Sequence, residues 1–291
     1  MFTAVLVTSP DGPRLDPALV ESLRSGWGGG TARWLAPGEA VEFDLIEMPD
    51  NRWAVWQSCQ GVGVDLVVLA TKGRRKKMLL ADMDSTMIRQ ECIDELADAA
   101  GVGARVKQIT ARAMNGELDF EGALRERVGL LKGLDAGVID RVLAERITLM
   151  TGGKALVATM KANGGYGALV SGGFTAFTQQ VAGMLGFDEN RANTLLVVDG
   201  ALSGEVGLPI LGKQAKVDAL GEITARLGIA EDDVIAVGDG ANDLGMLHRA
   251  GLGVALHAKP VVAAECDVRI NFGDLTALLY VQGYAKGDFV R

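Results

Sequence analysis

The apolar run Met78-Leu79-Leu80-Ala81 leads straight into Asp82-Met83-Asp84-Ser85-Thr86. A strand alternates faces with period two, so Asp82 and Asp84 project the same way while Met83 turns into the core. Two carboxylates held this close repel each other and lose hydration. The pair therefore calls for a cation beside it, or a proton held between the two groups.

The chain beyond Met78 constrains the fold. Residues 167–170, 194–198, 234–237 and 251–255 read as further strands, and helical segments separate most of them. This alternation predicts an α/β fold with a doubly wound, mostly parallel, Rossmann-like sheet, whose ligands bind beyond the carboxyl ends of the strands. Between the first two strands, residues 92–100, 105–114, 120–131 and 136–145 carry apolar side chains at helical spacing, with Asp119 and Asp135 placed to cap two of the helices. A helical block inserted there, about residues 89–150, has the position of a lid over an active site.

Residues 1–72 read as a smaller module: a strand at 2–7, a helix at 17–24, a strand pair at 31–35 and 40–46, a helix at 52–60 and a closing strand at 64–70. The order β-α-β-β-α-β is ferredoxin-like. Lys72-Gly73-Arg74 marks the expected boundary, with residues 73–291 as the second domain. The basic run Arg74-Arg75-Lys76-Lys77 reads as a solvated linker rather than an anion site.

Composition limits the partners. With 48% apolar and 23% charged residues the chain is globular, and a net charge of −8 argues against a nucleic-acid-binding surface. Cys59, Cys92 and Cys266 are far apart and unpaired in pattern, which suits reduced thiols in the cytoplasm. The first residues lack a signal-peptide pattern, and no apolar run approaches the roughly 20 residues of a membrane-spanning helix. Two histidines, His248 and His257, are too few for a His-rich zinc site.

Three more clusters fall at strand ends or helix starts. Ala168-Leu169-Val170 enters Ser171-Gly172-Gly173-Phe174, where a hydroxyl and main-chain N–H groups at a helix start suit an oxyanion, or simply cap the helix. Ile235-Ala236-Val237 enters Gly238-Asp239-Gly240-Ala241-Asn242-Asp243, which adds two carboxylates and an amide. Up to four acids then converge without histidine or cysteine, a ligand set that favours a hard divalent cation, Mg²⁺ foremost. Lys216, with Lys213 as its local competitor, opens the helix before the strand that ends at Asp239. Alone it reads as a solvated surface lysine; beside carboxylates and a phosphate it would neutralise charge.

Taken together, the DMDST segment, the SGG segment with Ser171, the Lys216 segment and GDGAND resemble the four ordered motifs of the haloacid dehalogenase superfamily of phosphohydrolases, over about residues 78–275. Glu91-Cys92-Ile93-Asp94-Glu95, the segment from Phe120 to Val128, and GDGANDLGML with AGLGVAL after it are similar to the phosphoserine phosphatase family within it. The N-terminal module resembles, more weakly, an ACT-like domain that some members carry.

The resemblance implies Mg²⁺-dependent hydrolysis of O-phospho-L-serine, the last step of serine biosynthesis, through an aspartyl-phosphate. It implies Asp82 as nucleophile and Asp84 as the acid that protonates the leaving oxygen and later activates water. Metal ligands would be Asp82, Asp239 and the main-chain carbonyl of Asp84, with Asp243 orienting them. Ser171, the Gly172 N–H and Lys216 would hold phosphate oxygens, and Asn242 the phosphate or the leaving group. Glu91 would take the substrate ammonium and Arg127 its carboxylate, for which a planar guanidinium is suited. Met114 and Phe120 would line the apolar side of the lid. The small-molecule substrate is the expected partner, and a homodimer stays open. Two alternatives remain: a phosphatase or phosphotransferase for another small phosphorylated metabolite, and a ligand sensor on a vestigial phosphatase fold.

Overall fold

The computed structural model describes residues 1–114 and 117–290, with the main chain alone at Met114. The N-terminal part comprises β1 (Phe2–Thr8), α1 (Pro17–Gly26), β2 (Arg33–Ala36), β3 (Ala40–Leu45), α2 (Arg52–Gln60) and β4 (Val64–Ala70). Its four strands form an antiparallel sheet in the order β2-β3-β1-β4. The expected β-α-β-β-α-β order is present, with β2 displaced toward the C-terminus. Asp16 starts α1 by accepting the Ala18 N–H at 2.8 Å, and Pro17 supplies a preset φ at the first helical position.

The second part begins with β5 (Met78–Ala81), and four cap helices come next: α3 (Cys92–Ala99), α4 (Gly103–Met114), α5 (Phe120–Gly129) and α6 (Val138–Glu145). Asp119 caps α5 through the Gly122 N–H at 2.7 Å. Asp135 instead turns the chain ahead of α6 by binding the Gly137 N–H at 2.8 Å, so that helix starts two residues later than its apolar pattern suggests. The chain continues through α7 (Gly153–Ala162), β6 (Tyr166–Phe174), α8 (Thr175–Leu185), β7 (Glu189–Asn193), β8 (Leu195–Val198), β9 (Ala201–Val206) and α9 (Lys213–Leu227). It closes with β10 (Val234–Gly238), α10 (Leu244–Arg249), β11 (Leu252–Leu256), α11 (Pro260–Ala264), β12 (Val268–Ile270) and α12 (Ala277–Val281).

Six of these strands form one sheet in the order β12-β11-β10-β5-β6-β7, and every pair in it is parallel. From β5 the chain winds outward through β6 and β7, then returns to β10 on the other side. The carboxyl ends of β5, β6 and β10 thus meet at the switch point, where a doubly wound sheet opens a crevice.

One expected sheet strand lies elsewhere. Residues 195–198 form β8, which pairs antiparallel with β9 as a hairpin off the sheet. The apolar run Leu196-Val197-Val198 that suggested a buried strand is 37–60% exposed. The sheet position belongs to the polar β7, an edge strand whose side chains are satisfied by ion pairs of Glu189 with Arg191 and Arg226 and of Arg191 with Glu222. The hairpin is strapped to the cap by the bonds of Gly133 N–H and Leu134 C=O to Leu202 and of Ala136 N–H to Gly200 C=O, each 2.8 Å.

The two sheets share one core. Val5, Val7, Val67 and Leu69 pack in the same cluster as Leu278, Tyr280 and Val281. Polar contacts cross the same boundary. Asp65, fully buried, accepts the N–H groups of Asn271, Phe272 and Gly273 at 2.7–2.9 Å, and Glu39 accepts the Tyr280 hydroxyl at 2.7 Å. The basic run is not a freely solvated linker. Arg74 pairs with Glu42 at 2.7 Å, Arg75 lies 4.1 Å over the Tyr284 ring, Lys76 donates to the Asp232 carbonyl and Lys77 pairs with Asp233 at 3.0 Å. Glu42 and Tyr284, buried on either side of the junction, draw the arginines inward.

Candidate active site

Burial of β5 on both faces carries Asp82 to the floor of the crevice, where it is 5% exposed. Its Oδ1 lies 2.6 Å from Lys216 Nζ, and the same ammonium lies 2.5 Å from Asp243 Oδ1. Lys216 is 1% exposed, on the first turns of α9. Of the two lysines Lys216 is thus the one that lies against the buried acids, and Lys213 has an exposed place at the helix start. Asp243, fully buried, spends its other oxygen on the Asp239 and Gly240 N–H groups at 3.2 and 3.0 Å. It thus braces both the Gly238–Asn242 turn and the lysine. Asp239 receives the buried Thr86 hydroxyl at 3.3 Å.

Asp84 is gripped from the cap. Its Oδ1 accepts the Cys92 N–H, at the start of α3, at 3.0 Å, while Oδ2 faces Ser171 Oγ at 3.5 Å. A Cβ at Gly173 would stand 2.7 Å from that Oδ2, so only glycine leaves room for the acid. The Ser-Gly-Gly segment is not the start of a helix. It is a bulge near the end of β6, and α8 begins only at Thr175. Bulges recur beside active sites because they release main-chain groups from the ladder.

Lys216 pairs with Asp82 and Asp243 alone, so Asp84 and Asp239 leave an excess of negative charge in the crevice. Burial pushes the Asp82 carboxyl well up, with Lys216 pulling it back and Asp243 and Asp84 adding to the rise. Asp84 is raised to about 6, mainly by burial and then by the charge of Glu91. Asp239 is likewise raised to about 6, by burial and then by Asp243 and Glu91. Burial favours loss of the Lys216 proton, but Asp82 and Asp243 outweigh it and hold the ammonium charged. Oxygens of Asp82, Asp239 and Asp243 come within 4.8 Å of one another. An all-oxygen donor set carrying surplus charge fits a hard divalent cation. Asp243 spends both oxygens on Lys216 and the turn, whereas Asp82 and Asp239 each keep one carboxylate oxygen without a partner among the described residues.

The cap supplies charges of both signs. Glu91 caps nothing with its side chain; it accepts the Ser85 hydroxyl at 2.7 Å from a residue at φ +57°. Arg127 is half-buried on α5, donates Nε–H to its own helix at Ala123, and among the described residues forms no ion pair. Burial lowers its pKa while Asp94 and Glu91 oppose the change. Asn242 is half-buried with no described hydrogen bond to its carboxamide. Phe120 reaches from the cap to the sheet, its ring 3.3–3.4 Å from where a Cβ on Gly172 or Gly212 would lie. The Met114 side chain lies outside the described residues. Thr86, Gly173 and the Cys92 N–H join the site without a role assigned from the sequence; Thr86 and Gly173 lie inside the DMDST and SGG segments, but no residue pattern marks the Cys92 N–H as a donor to Asp84.

The sequence pattern of haloacid dehalogenase-like hydrolases matches residues 79–248. A phosphoserine phosphatase from Streptomyces coelicolor is 42% identical over 256 residues, covering 87% of this chain and 62% of that protein. One from Methanocaldococcus jannaschii is 42% identical over 206 residues, 71% of this chain and 97% of the relative. The crystal structure of a HAD family hydrolase from Salmonella enterica serovar Typhi superposes with a TM-score of 0.87 at 30% identity, covering 97% of this chain and 98% of that one. The pattern spans more than half of the chain and takes in the four acids and Lys216, and the chain belongs to the haloacid dehalogenase-like hydrolases.

Proposed function

We propose that the chain is a phosphoserine phosphatase, hydrolysing O-phospho-L-serine to L-serine and phosphate through a phospho-Asp82 intermediate. The observation that carries this reading is the placing of opposite charges on the cap, Glu91 and an Arg127 that forms no ion pair among the described residues, beside a buried Asp82–Lys216 pair. The names of the relatives point to the same substrate.

Phosphate would sit against Lys216, Ser171 Oγ and the Gly172 N–H, where donors meet the charge that grows on the equatorial oxygens. Asp82 attacks phosphorus as a carboxylate, the form that the Lys216 ammonium at 2.6 Å favours against burial and that needs no base to become a nucleophile. As the bond from phosphorus to the serine oxygen breaks, Asp84 gives that oxygen its proton. Water then attacks the phospho-aspartate; Asp84 takes a proton from it, and phosphate leaves with Asp82 regenerated. Burial and the neighbouring Glu91 charge raise the Asp84 carboxyl, which favours the proton that the first half uses. Mg²⁺ bound by Asp82, Asp239 and the Asp84 carbonyl would offset charge on the phosphate. Arg127 would pair with the substrate carboxylate, Glu91 with its ammonium, and Asn242 with a phosphate or leaving-group oxygen. Phe120 lowers an apolar roof onto the phosphate loop, which excludes water during transfer.

The reading extends to the whole chain as an ACT-like module at residues 1–72, a phosphatase domain at residues 73–291 and a cap at about residues 89–150. Three buried free cysteines support work in the reducing cytoplasm. The test is phosphate release with and without Mg²⁺ from phosphoserine, phosphothreonine and sugar phosphates. The reading expects a strong preference for phosphoserine and dependence on the metal. Equal rates on sugar phosphates would remove the roles of Glu91 and Arg127, and absence of turnover on all of them would leave a ligand sensor.

A further inference from the structure

Asn193 ends β7, 1% exposed, and has no part in the chemistry derived above. In the β6–β7 ladder Val170 stands opposite Arg191, but the next matched pair is Phe174 with Asn193. Ser171, Gly172 and Gly173 therefore face a single residue of β7, and their main-chain groups lose the partners a regular ladder would provide. An unpaired carbonyl here would be costly and would leave its peptide plane free to turn.

The Asn193 carboxamide takes over. Its Nδ2 donates to the Gly172 carbonyl at 2.8 Å and to the Leu211 carbonyl at 3.1 Å, while Oδ1 accepts the Leu211 N–H at 2.7 Å. Both donors and the acceptor are spent, and the Leu211 N–H fixes which end of the amide is oxygen. The peptide joining Gly172 to Gly173 is thus held at both ends, since its N–H donates to Ser171 Oγ at 2.8 Å. A hydroxyl oxygen that accepts from behind has its own proton directed forward, toward Asp84 Oδ2 at 3.5 Å and the space between them. Leu211 precedes Gly212, the residue that begins the helix of Lys216. One side chain thus links the two elements that would grip phosphate.

We propose that Asn193 is a positioning residue for phosphoryl transfer: by pinning the Gly172 carbonyl it aims the Ser171 hydroxyl, and through Leu211 it holds the Lys216 helix in register with that hydroxyl. The inference rests on the phosphatase reading but not on which phosphomonoester is the substrate. Asn193→Asp keeps the shape and the acceptor, yet sets a carboxylate against two carbonyls. Expected are a roughly 30-fold lower kcat and about tenfold weaker inhibition by orthovanadate in Mg²⁺, with inhibition by L-serine changed less than about twofold. Adding the substitution to Ser171→Ala should cost clearly less than the roughly 30-fold it costs alone, because the part that acts through the hydroxyl is already lost. Unchanged vanadate inhibition, equal weakening toward vanadate and serine, or full additivity with Ser171→Ala would overturn the proposal.

If Asn193→Asp does not fold, the ¹⁵N-labelled wild type carries the test. The Asn193 side-chain amide protons should exchange slowly and shift when orthovanadate binds; rapid exchange or no shift overturns the role. A wild type that binds vanadate but leaves phosphoserine intact would refute the substrate assignment alone.

Discussion

Replacing Gly173 by alanine tests whether the approach of Asp84 to the phosphate loop matters to turnover. The added Cβ would stand 2.7 Å from Asp84 Oδ2 and 3.1 Å from Ser171 Oγ, where ordinary contact begins at 3.4 Å. Asp84 cannot simply back away, because its other oxygen is held by the Cys92 N–H at 3.0 Å. The carboxylate must swing by about 0.7 Å, and a misplacement near 1 Å costs on the order of 10²-fold in a well-oriented reaction. We expect kcat to fall about 10–100-fold, or ~1.4–2.7 kcal/mol of barrier. Gly173 does not have a positive φ, so alanine brings no backbone strain there. Lower chain entropy in the unfolded state, worth about 0.4–1 kcal/mol, partly offsets the crowding. The assay is steady-state phosphate release in Mg²⁺ with a parallel melting curve. A folded Gly173→Ala protein with kcat within about threefold of wild type would refute the argument that this gap positions the acid.

Arg127→Leu should lower kcat/KM for O-phospho-L-serine by about 100-fold, mostly in KM, while O-phosphoethanolamine, which lacks the carboxylate, changes less than about threefold; equal losses on both would show that Arg127 only supports the cap. Asp65→Asn should destabilise the chain by about 2–3 kcal/mol, because an amide group turns a donor toward N–H groups that a carboxylate accepts. Urea midpoints measure this, and a change under ~0.5 kcal/mol would mean that the contact between the two sheets does not depend on that charge. Glu42 is held below its ordinary 4.5: burial would raise it, but the hydrogen bonds from Arg74 and Arg33 outweigh burial. The stability it contributes is therefore fully present above pH 4.5 and is lost as pH falls through the lower folded value. The stability gap between wild type and Glu42→Gln should accordingly narrow with acidification, whereas a gap constant from pH 7 to 3 would contradict the pairing.

The legible parts of the fold were those in which burial and side-chain pattern coincide. Met78 to Ala81 and Val234 to Gly238 are buried on both faces, so their apolar runs read as central strands, and the acids after them fall where a parallel sheet opens. The cap helices were legible because each buries one apolar stripe. The pattern misled where burial and composition part company. Leu196, Val197 and Val198 are exposed on a hairpin, while β7, which holds the edge of the sheet, spells Glu-Asn-Arg-Ala-Asn and is stabilised by ion pairs. Ser171 was found from its glycines, but a bulge is a property of two strands in register, and the strand opposite was not recognised. Asn193 was invisible for the same reason: its role exists only once the ladder has slipped past three residues. Arg74 and Arg75 looked solvated because Glu42 and Tyr284, their partners, lie far from them in the chain.

The central claim is that Asp82 attacks phosphorus while Lys216 and a divalent cation hold the charge. Its most direct test is Mg²⁺-dependent hydrolysis of O-phospho-L-serine by wild type and Asp82→Asn at matched folded concentration. The account predicts turnover by the wild type that stops on chelation of the metal, and a loss of at least about 10³-fold in the variant with its melting transition intact. An Asp82→Asn protein that releases phosphate at nearly the wild-type rate would contradict it.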